Sequence, residues 1–259
     1  EDELKIDYAN EKDYKEFSQY YFLVSDYYFQ QTYKQAEEVQ KTDPSVFLVQ
    51  KQIKMFATTV PNQFIKNDLI AQIVISYLRK VKDIEAFYND FINYYTGKDE
   101  ELKRDIADAY LRLGKLKKGT FSPQFVDYTN YAGGKNSLSD FSGKYVYIDL
   151  WASWCGNCYE DMPALKKLEE TYKEKNIAFI SISLDKDKNE WIKSIKQEKL
   201  NGIQLLAPKQ FDNNFMKEYA VKGIPRCIFI SPDGAIIDYS APRPSEKEKL
   251  EVLFKSVGL

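Results

Sequence analysis

Between residue 10 and about residue 114 the apolar positions recur three and four apart, the period of helices that each bury one stripe. Phe17, Tyr20, Tyr21, Val24, Tyr27 and Tyr28 trace the first stripe. Asp43-Pro44 reads as an N-cap followed by a proline at the first helical position, and Val46, Val49, Ile53, Phe56 and Val60 mark a second face that Pro61 ends. Leu69, Ile70, Ile73, Val74, Tyr77, Leu78 and Val81 predict a third helix, and Ile84, Phe87, Tyr88, Phe91, Ile92 and Tyr95 a fourth. Leu102, Ile106, Ala109, Tyr110 and Leu113 predict a fifth, closed by Gly114. No fixed period connects these helices, so a repeat array is not expected. Their tyrosines and phenylalanines read as core packing rather than a peptide groove.

From Lys115 to Ser122, with Pro123 following, the chain is polar and the helical period gives way to strand patterns. The reading is an all-helical N-terminal domain over 1–118 and a second domain over 119–259. In the second, Val126 is expected in a short strand, Gly133-Gly134 in a turn and residues 145–150 in a buried strand. Helices are expected over about 155–175, 189–199, 213–219 and 246–257, with strands over 177–184 and at Leu205-Leu206. Residues 227–230 and 235–239 flank Ser231-Pro232-Asp233-Gly234 as a hairpin. Strands alternating with helices and ending in a hairpin predict an α/β mixed sheet flanked by helices.

Composition narrows the chemistry. The 37 lysines and arginines nearly balance the 39 aspartates and glutamates, so the chain lacks the basic surplus that binding a phosphate backbone needs, and nucleic acid is not an expected partner. There is no histidine, which excludes a Ser-His or Cys-His dyad and nearly every common catalytic zinc site. Proton transfer then falls to carboxylates, thiols, tyrosines or water. The longest apolar runs, such as residues 69–76, fall far short of the roughly 20 residues that span a bilayer, and no transmembrane segment is expected. The chain opens Glu1-Asp2-Glu3 with neither an initiator methionine nor an apolar leader, so a targeting segment removed on maturation is expected.

Three cysteines, two of them in Cys155-Gly156-Asn157-Cys158, suit a redox pair and a leftover thiol rather than a disulfide scaffold. That motif follows a predicted strand and opens a predicted helix, where backbone amides and the helix dipole favour a thiolate. A free cysteine titrates near ~8.5, and one in this setting at roughly 3.5 to 7.5. Cys155, exposed at the helix start, is therefore the expected attacking sulfur, and Cys158, one turn deeper, the resolving thiol. A zinc site would need two further ligands, and Cys227 could add only one thiolate, so no metal is expected. Cys227 opens an apolar strand and reads as a small buried hydrophobe.

The stretch Asp149-Leu150-Trp151-Ala152-Ser153-Trp154-Cys155-Gly156-Asn157-Cys158 resembles the active-site segment of thioredoxins, and Gly223-Ile224-Pro225 resembles their cis-proline turn. With the lead-in Leu138-Ser139-Asp140-Phe141-Ser142-Gly143-Lys144, with Asp161-Met162-Pro163 and with a helical insertion around residues 187–205, residues 119–259 are similar to the TlpA/ResA branch of thiol-disulfide oxidoreductases. The resemblance implies a thioredoxin-like fold and a reductase of the bacterial periplasm or cell envelope. It further implies protein disulfide substrates, an upstream thiol reductant, a part in cell redox homeostasis, and no cofactor beyond the redox-active Cys155–Cys158 disulfide.

The same resemblance implies that Asp149 accepts, through water, the proton of the resolving thiol, a role suited by a pKa raised through burial. It makes Asp161 a second catalytic acid, which reads equally as a carboxylate complementing the helix dipole. Trp154, Gly156, Asn157, Ile224 and Pro225 are implied to border the substrate groove, with Trp151 as packing. The N-terminal helices are similar to the extra domain of some envelope members. Two departures stand out. Gly156-Asn157 replaces Gly-Pro between the cysteines, and Arg226 replaces threonine after the proline, where a guanidinium would favour the Cys155 thiolate or reach a surface acid. Two rival functions are a partner-binding module with a minor or sensing disulfide, and a peroxiredoxin-like peroxidase, whose P-x-x-x-T-x-x-C signature is not found here.

Overall fold

A computed structural model describes residues 6–42, 48–78, 81 and 83–259. The expected cap at Asp43-Pro44, Val46 and the side chain of Val49 lie outside the described residues. The chain divides into two compact units, Glu1–Leu111 and Arg112–Leu259.

The first unit is helical: α1 (Glu11–Glu16), α2 (Ser18–Thr42), α3 (Leu48–Thr59), α4 (Gln63–Tyr77), α5 (Ile84–Tyr94) and α6 (Glu100–Gly114), which runs on into the second unit. Short polar side chains start these helices by accepting otherwise unpaired amides: Asn10 from Asp13, Asn62 from Phe64 and Ile65, and Asp83 from Ala86. Val24, Ile53, Phe56, Leu69, Ile70, Ile73, Val74, Phe87 and Phe91 are buried as the periodicity predicts. Phe17 departs from its stripe. Its backbone is extended (φ −119°, ψ 113°), which separates α1 from α2 and leaves the ring 54% exposed.

The second unit is built on a seven-stranded sheet in the order β2-β1-β5-β4-β3-β6-β7. In chain order its elements are β1 (Tyr128–Asn130), β2 (Lys135–Asn136), β3 (Tyr145–Trp151), α7 (Gly156–Thr171), β4 (Ile177–Ser183), α8 (Lys188–Glu198), β5 (Ile203–Leu206), α9 (Asn214–Glu218), β6 (Arg226–Ile230), β7 (Ile236–Ala241) and α10 (Lys247–Lys255). β3 pairs parallel with β4 and antiparallel with β6, so the sheet is mixed, as expected. Being central and buried on both faces, β3 reads as a nearly unbroken apolar run in which Asp149 is the lone acid. Tyr147, Phe179 and Phe229 on one face pack with Leu165 of α7 and with Leu250 and Phe254 of α10.

Val126 is not in a strand, contrary to expectation, and is 65% exposed. The backbone at Asp127 is left-handed (φ 56°) and turns the chain before β1 begins, with the Asp127 amide donating to Ser137 Oγ at 3.1 Å. The extended pairing lies upstream instead. Phe121 bridges Ala235, while the Gly119 and Ser122 amides donate to Ile236 and Gly234 carbonyls at 2.8 and 2.9 Å.

Candidate active site

β3 ends at Trp151 and α7 begins at Gly156, so four residues carry the chain from the buried strand to the helix start. Cys155 is the N-cap, with extended backbone, and its carbonyl accepts the Cys158 amide at 3.0 Å. Cys155 and Cys158 are joined as a disulfide. The preceding loop is clamped by Asp185, at the carboxyl end of β4, whose carboxylate accepts the Ser153 amide at 3.0 Å, Ser153 Oγ at 2.6 Å and Ser183 Oγ at 2.6 Å.

Cys155 is only 7% exposed and Cys158 3%, which corrects the expectation of an exposed nucleophile. The disulfide is packed into an apolar cluster with Trp151, Ala152, Met162, Trp191 and Ile195, against which Ile224 also packs. Around this recess Trp154 (61% exposed), Gly156 and Asn157 stand open to solvent, and Ile224 and Pro225 are half-buried. The Ile224–Pro225 peptide bond is cis. Arg226, expected to favour the Cys155 thiolate or reach a surface acid, donates to the Tyr239 carbonyl at 3.0 and 2.8 Å and lies 5.4 Å from the Tyr239 ring, and its charge also acts on Asp238.

Beneath lies a buried polar cluster. Asp149 faces Cys227 in the antiparallel register of β3 and β6, and the thiol donates to Asp149 Oδ1 at 3.9 Å. Burial, then the charge of Asp161, push the Asp149 carboxyl up to about 7, while the Cys227 bond and Arg243 pull the other way. The Cys227 thiol is pushed well above its ordinary value, first by burial and then by Asp149. Asp161, on α7 with its side chain 3% exposed, accepts Arg243 Nε at 2.6 Å, so it sits in an ion pair rather than merely complementing the helix dipole. Its Oδ1 is buried and receives no hydrogen bond. The Arg243 terminal nitrogen donates to the Asn157 carbonyl at 2.9 Å, between the two cysteines. Among the described residues no group of three or more Cys, Asp or Glu side chains is arranged to hold a metal ion.

The structure thus gathers Cys155, Cys158 and Ile224 at one cluster, with Asp149 and Asp161 in a polar layer. Sequence reasoning missed Arg243, Asp185 and the contact of Cys227 with Asp149. Asp185 carried a usable signal, an acid just past the end of a predicted parallel strand, the edge of α/β sheets where sites form. Cys227 carried one too, since both strands were predicted. Arg243 carried none, being one arginine in a loop.

Residues 143–236 match the thioredoxin-like family. The thiol-disulfide oxidoreductase ResA of Bacillus thuringiensis subsp. konkukian (strain 97-27) is 31% identical over 145 residues, which are 55% of this chain and 80% of that protein. The thioredoxin-like protein YneN of Bacillus subtilis (strain 168) is 29% identical over 136 residues, 51% of this chain and 76% of its own. Among solved structures, the thioredoxin domain of a Bacteroides vulgatus thiol-disulfide oxidoreductase aligns with a TM-score of 0.50 at 28% identity, covering 55% of this chain and 99% of that one. A second B. vulgatus structure, assigned to the same enzymes, aligns at 0.51 with 35% identity over 55% of this chain and 98% of its own. The Cys-x-x-Cys disulfide set between a strand and a helix of a mixed sheet, together with 31% identity over 80% of the length of a ResA protein, places the chain in the ResA family of thioredoxin-like thiol-disulfide oxidoreductases.

Proposed function

We propose that this enzyme reduces disulfides of other proteins in a bacterial cell envelope, using the Cys155/Cys158 dithiol, and that an upstream thiol reductant restores it. The observation that carries the reading is the disulfide mounted at the N-terminus of α7 with Cys155 as N-cap, where unpaired amides and the helix dipole stabilise a thiolate. In the reduced protein the Cys155 thiolate attacks a substrate disulfide; its sulfur bonds to one substrate sulfur, and the other leaves as a thiolate. Cys158 then gives its proton, through water, to Asp149, and attacks the Cys155 sulfur. That step expels the second substrate sulfur as a thiolate and closes the Cys155–Cys158 disulfide. Two electrons have passed to the substrate, and exchange with the reductant's dithiol reverses the change. The electrons stay on sulfur throughout, so the cycle takes no organic cofactor or metal.

A carboxyl titrating at about 7 is matched to this proton transfer at neutral pH. Trp154, Gly156 and Asn157 on the open rim, with Ile224 and Pro225 beside the recess, border the extended substrate segment. Among the described residues no helix is long and apolar enough to cross a membrane.

Insulin reduction by the parent and two variants tests the reading. Cys155→Ser should abolish exchange, and Cys158→Ser should stall as a long-lived mixed disulfide that retains its substrate on a non-reducing gel. Capture by Cys155→Ser but not by Cys158→Ser would reverse the two roles. Equilibration with glutathione should give a potential near or below about −220 mV, whereas a value near −120 mV would make the chain an oxidant.

A further inference from the structure

We propose that Arg243 is a positioning residue of the exchange reaction, fastening the Asp161 carboxylate to the peptide carbonyl that lies between the two cysteines. The proposal rests on exchange through Cys155 and Cys158. Arg243 lies in the segment joining β7 to α10, and its own amide donates at 3.0 Å to Glu246, the N-cap of α10, so its backbone is anchored. One arm of the guanidinium, Nε, donates to Asp161 Oδ2 at 2.6 Å, and another donates to the Asn157 carbonyl at 2.9 Å. The Asp161 side chain is 3% exposed and the Arg243 side chain 32%, so the acid is sealed inside and the cation stands at the surface above it.

A planar fork holds two acceptors at a fixed separation, which a lysine ammonium cannot do. Here both acceptors belong to the first turns of α7, one of them inside the Cys-x-x-Cys turn. When the disulfide opens and closes, its two sulfurs change separation and that turn adjusts. Arg243 ties the adjustment to a buried carboxylate one turn beyond Cys158. Its charge also counts. A cation beside the motif favours thiolate, and the Asp161 carboxylate opposes it. The other ionisable groups of this layer are Asp149 and Tyr147 on β3, Cys227 on β6, Glu160 and Glu169 on α7, and Glu246.

The test measures alkylation of Cys155 by iodoacetamide across pH 4 to 9 in the reduced full chain, together with its equilibrium against glutathione. Arg243→Gln should raise the midpoint pH by roughly half to one unit, slowing alkylation at pH 6 roughly three- to tenfold and shifting the glutathione equilibrium toward the disulfide. Asp161→Asn should move the midpoint down. Arg243→Lys keeps the charge and loses the fork, so its midpoint should stay near the parent's while single-turnover release slows severalfold. If Arg243→Gln does not fold, judged by circular dichroism, the Arg243→Lys and Asp161→Asn measurements decide.

Midpoints that move the same way in Arg243→Gln and Asp161→Asn, or that do not move, would overturn the proposal. So would an Arg243→Lys variant matching the parent in single-turnover rate. A parent whose Cys155 midpoint is not acid-shifted would instead count against the nucleophile assigned above. An acid-shifted parent with unmoved variants would sink the role of Arg243 alone.

Discussion

Asp149 and Cys227 meet across the β3–β6 register in a buried layer, where the Asp149 charge pushes the Cys227 thiol toward its neutral form while the Cys227 hydrogen bond pulls the Asp149 carboxyl toward its charged one, against the larger push of burial. The Asp149 carboxyl titrates at about 7 in the folded chain against 3.8 for an ordinary aspartate, so between those values the native state holds a proton that the unfolded chain has released. Stability linked to this group is fully present below the lower value and is lost as pH rises through the upper one. Glu169, raised to about 7 chiefly by burial, acts in the same sense. Asp149→Asn should therefore gain stability relative to the parent between pH 4 and pH 8, by at least about 1 kcal/mol in urea midpoints, while product release at neutral pH slows by roughly a hundredfold. An unchanged pH dependence of the midpoint would show that Asp149 does not titrate there. Cys227 is next to this acid, not remote from the chemistry as an apolar strand position suggests. Cys227→Ser supplies a better donor to Asp149 and should move the pH profile of the resolving step down by about half a unit, and Cys227→Ala should move it up. Superimposable single-turnover profiles for the two would rule this out.

At the scale of elements, the loop from β3 to α7 depends on a neighbouring strand, because Asp185 past β4 carries the hydrogen bonds that hold Ser153. Asp185→Ala leaves the buried Ser183 hydroxyl and the Ser153 amide without this acceptor, and should cost about 2–3 kcal/mol in denaturant unfolding and several-fold in insulin reduction. Full activity in a variant of parental stability would show that the loop holds itself. The helices and strands around that loop were legible in the sequence because each buries one face or both, and burial imprints a period. Phe17 and Val126 were misread where the backbone, not the hydrophobic pattern, decides: an extended residue parts α1 from α2, and a left-handed Asp127 delays β1. The Cys-x-x-Cys turn was legible because its residues are contiguous. Arg243 reaches Asp161 across 82 positions and Asp185 reaches Ser153 across 32, separations at which spacing carries no signal.

At the scale of the whole molecule, the second unit, Arg112–Leu259, contains the sheet, the disulfide and the buried acids. Its first residues are structural: Leu116 is 1% exposed, and residues 119–122 hydrogen-bond along the start of β7. A fragment of residues 112–259 should fold alone and reduce insulin within about twofold of the full chain. A fragment beginning at residue 123 should be less stable by on the order of 1–3 kcal/mol, because it loses that pairing. A 112–259 fragment that is folded but inactive would assign the helical unit a part in catalysis. The apolar recess of the disulfide has one more consequence, an optical one. All three tryptophans of the chain lie around it: Trp151 and Trp191 within the cluster, and Trp154 adjacent to Cys155 in sequence. An excited indole readily gives an electron to a nearby sulfur–sulfur bond, so the oxidised protein should be dim and the reduced protein bright. The chain carries its own lamp, and a fluorimeter can follow each turnover without a label.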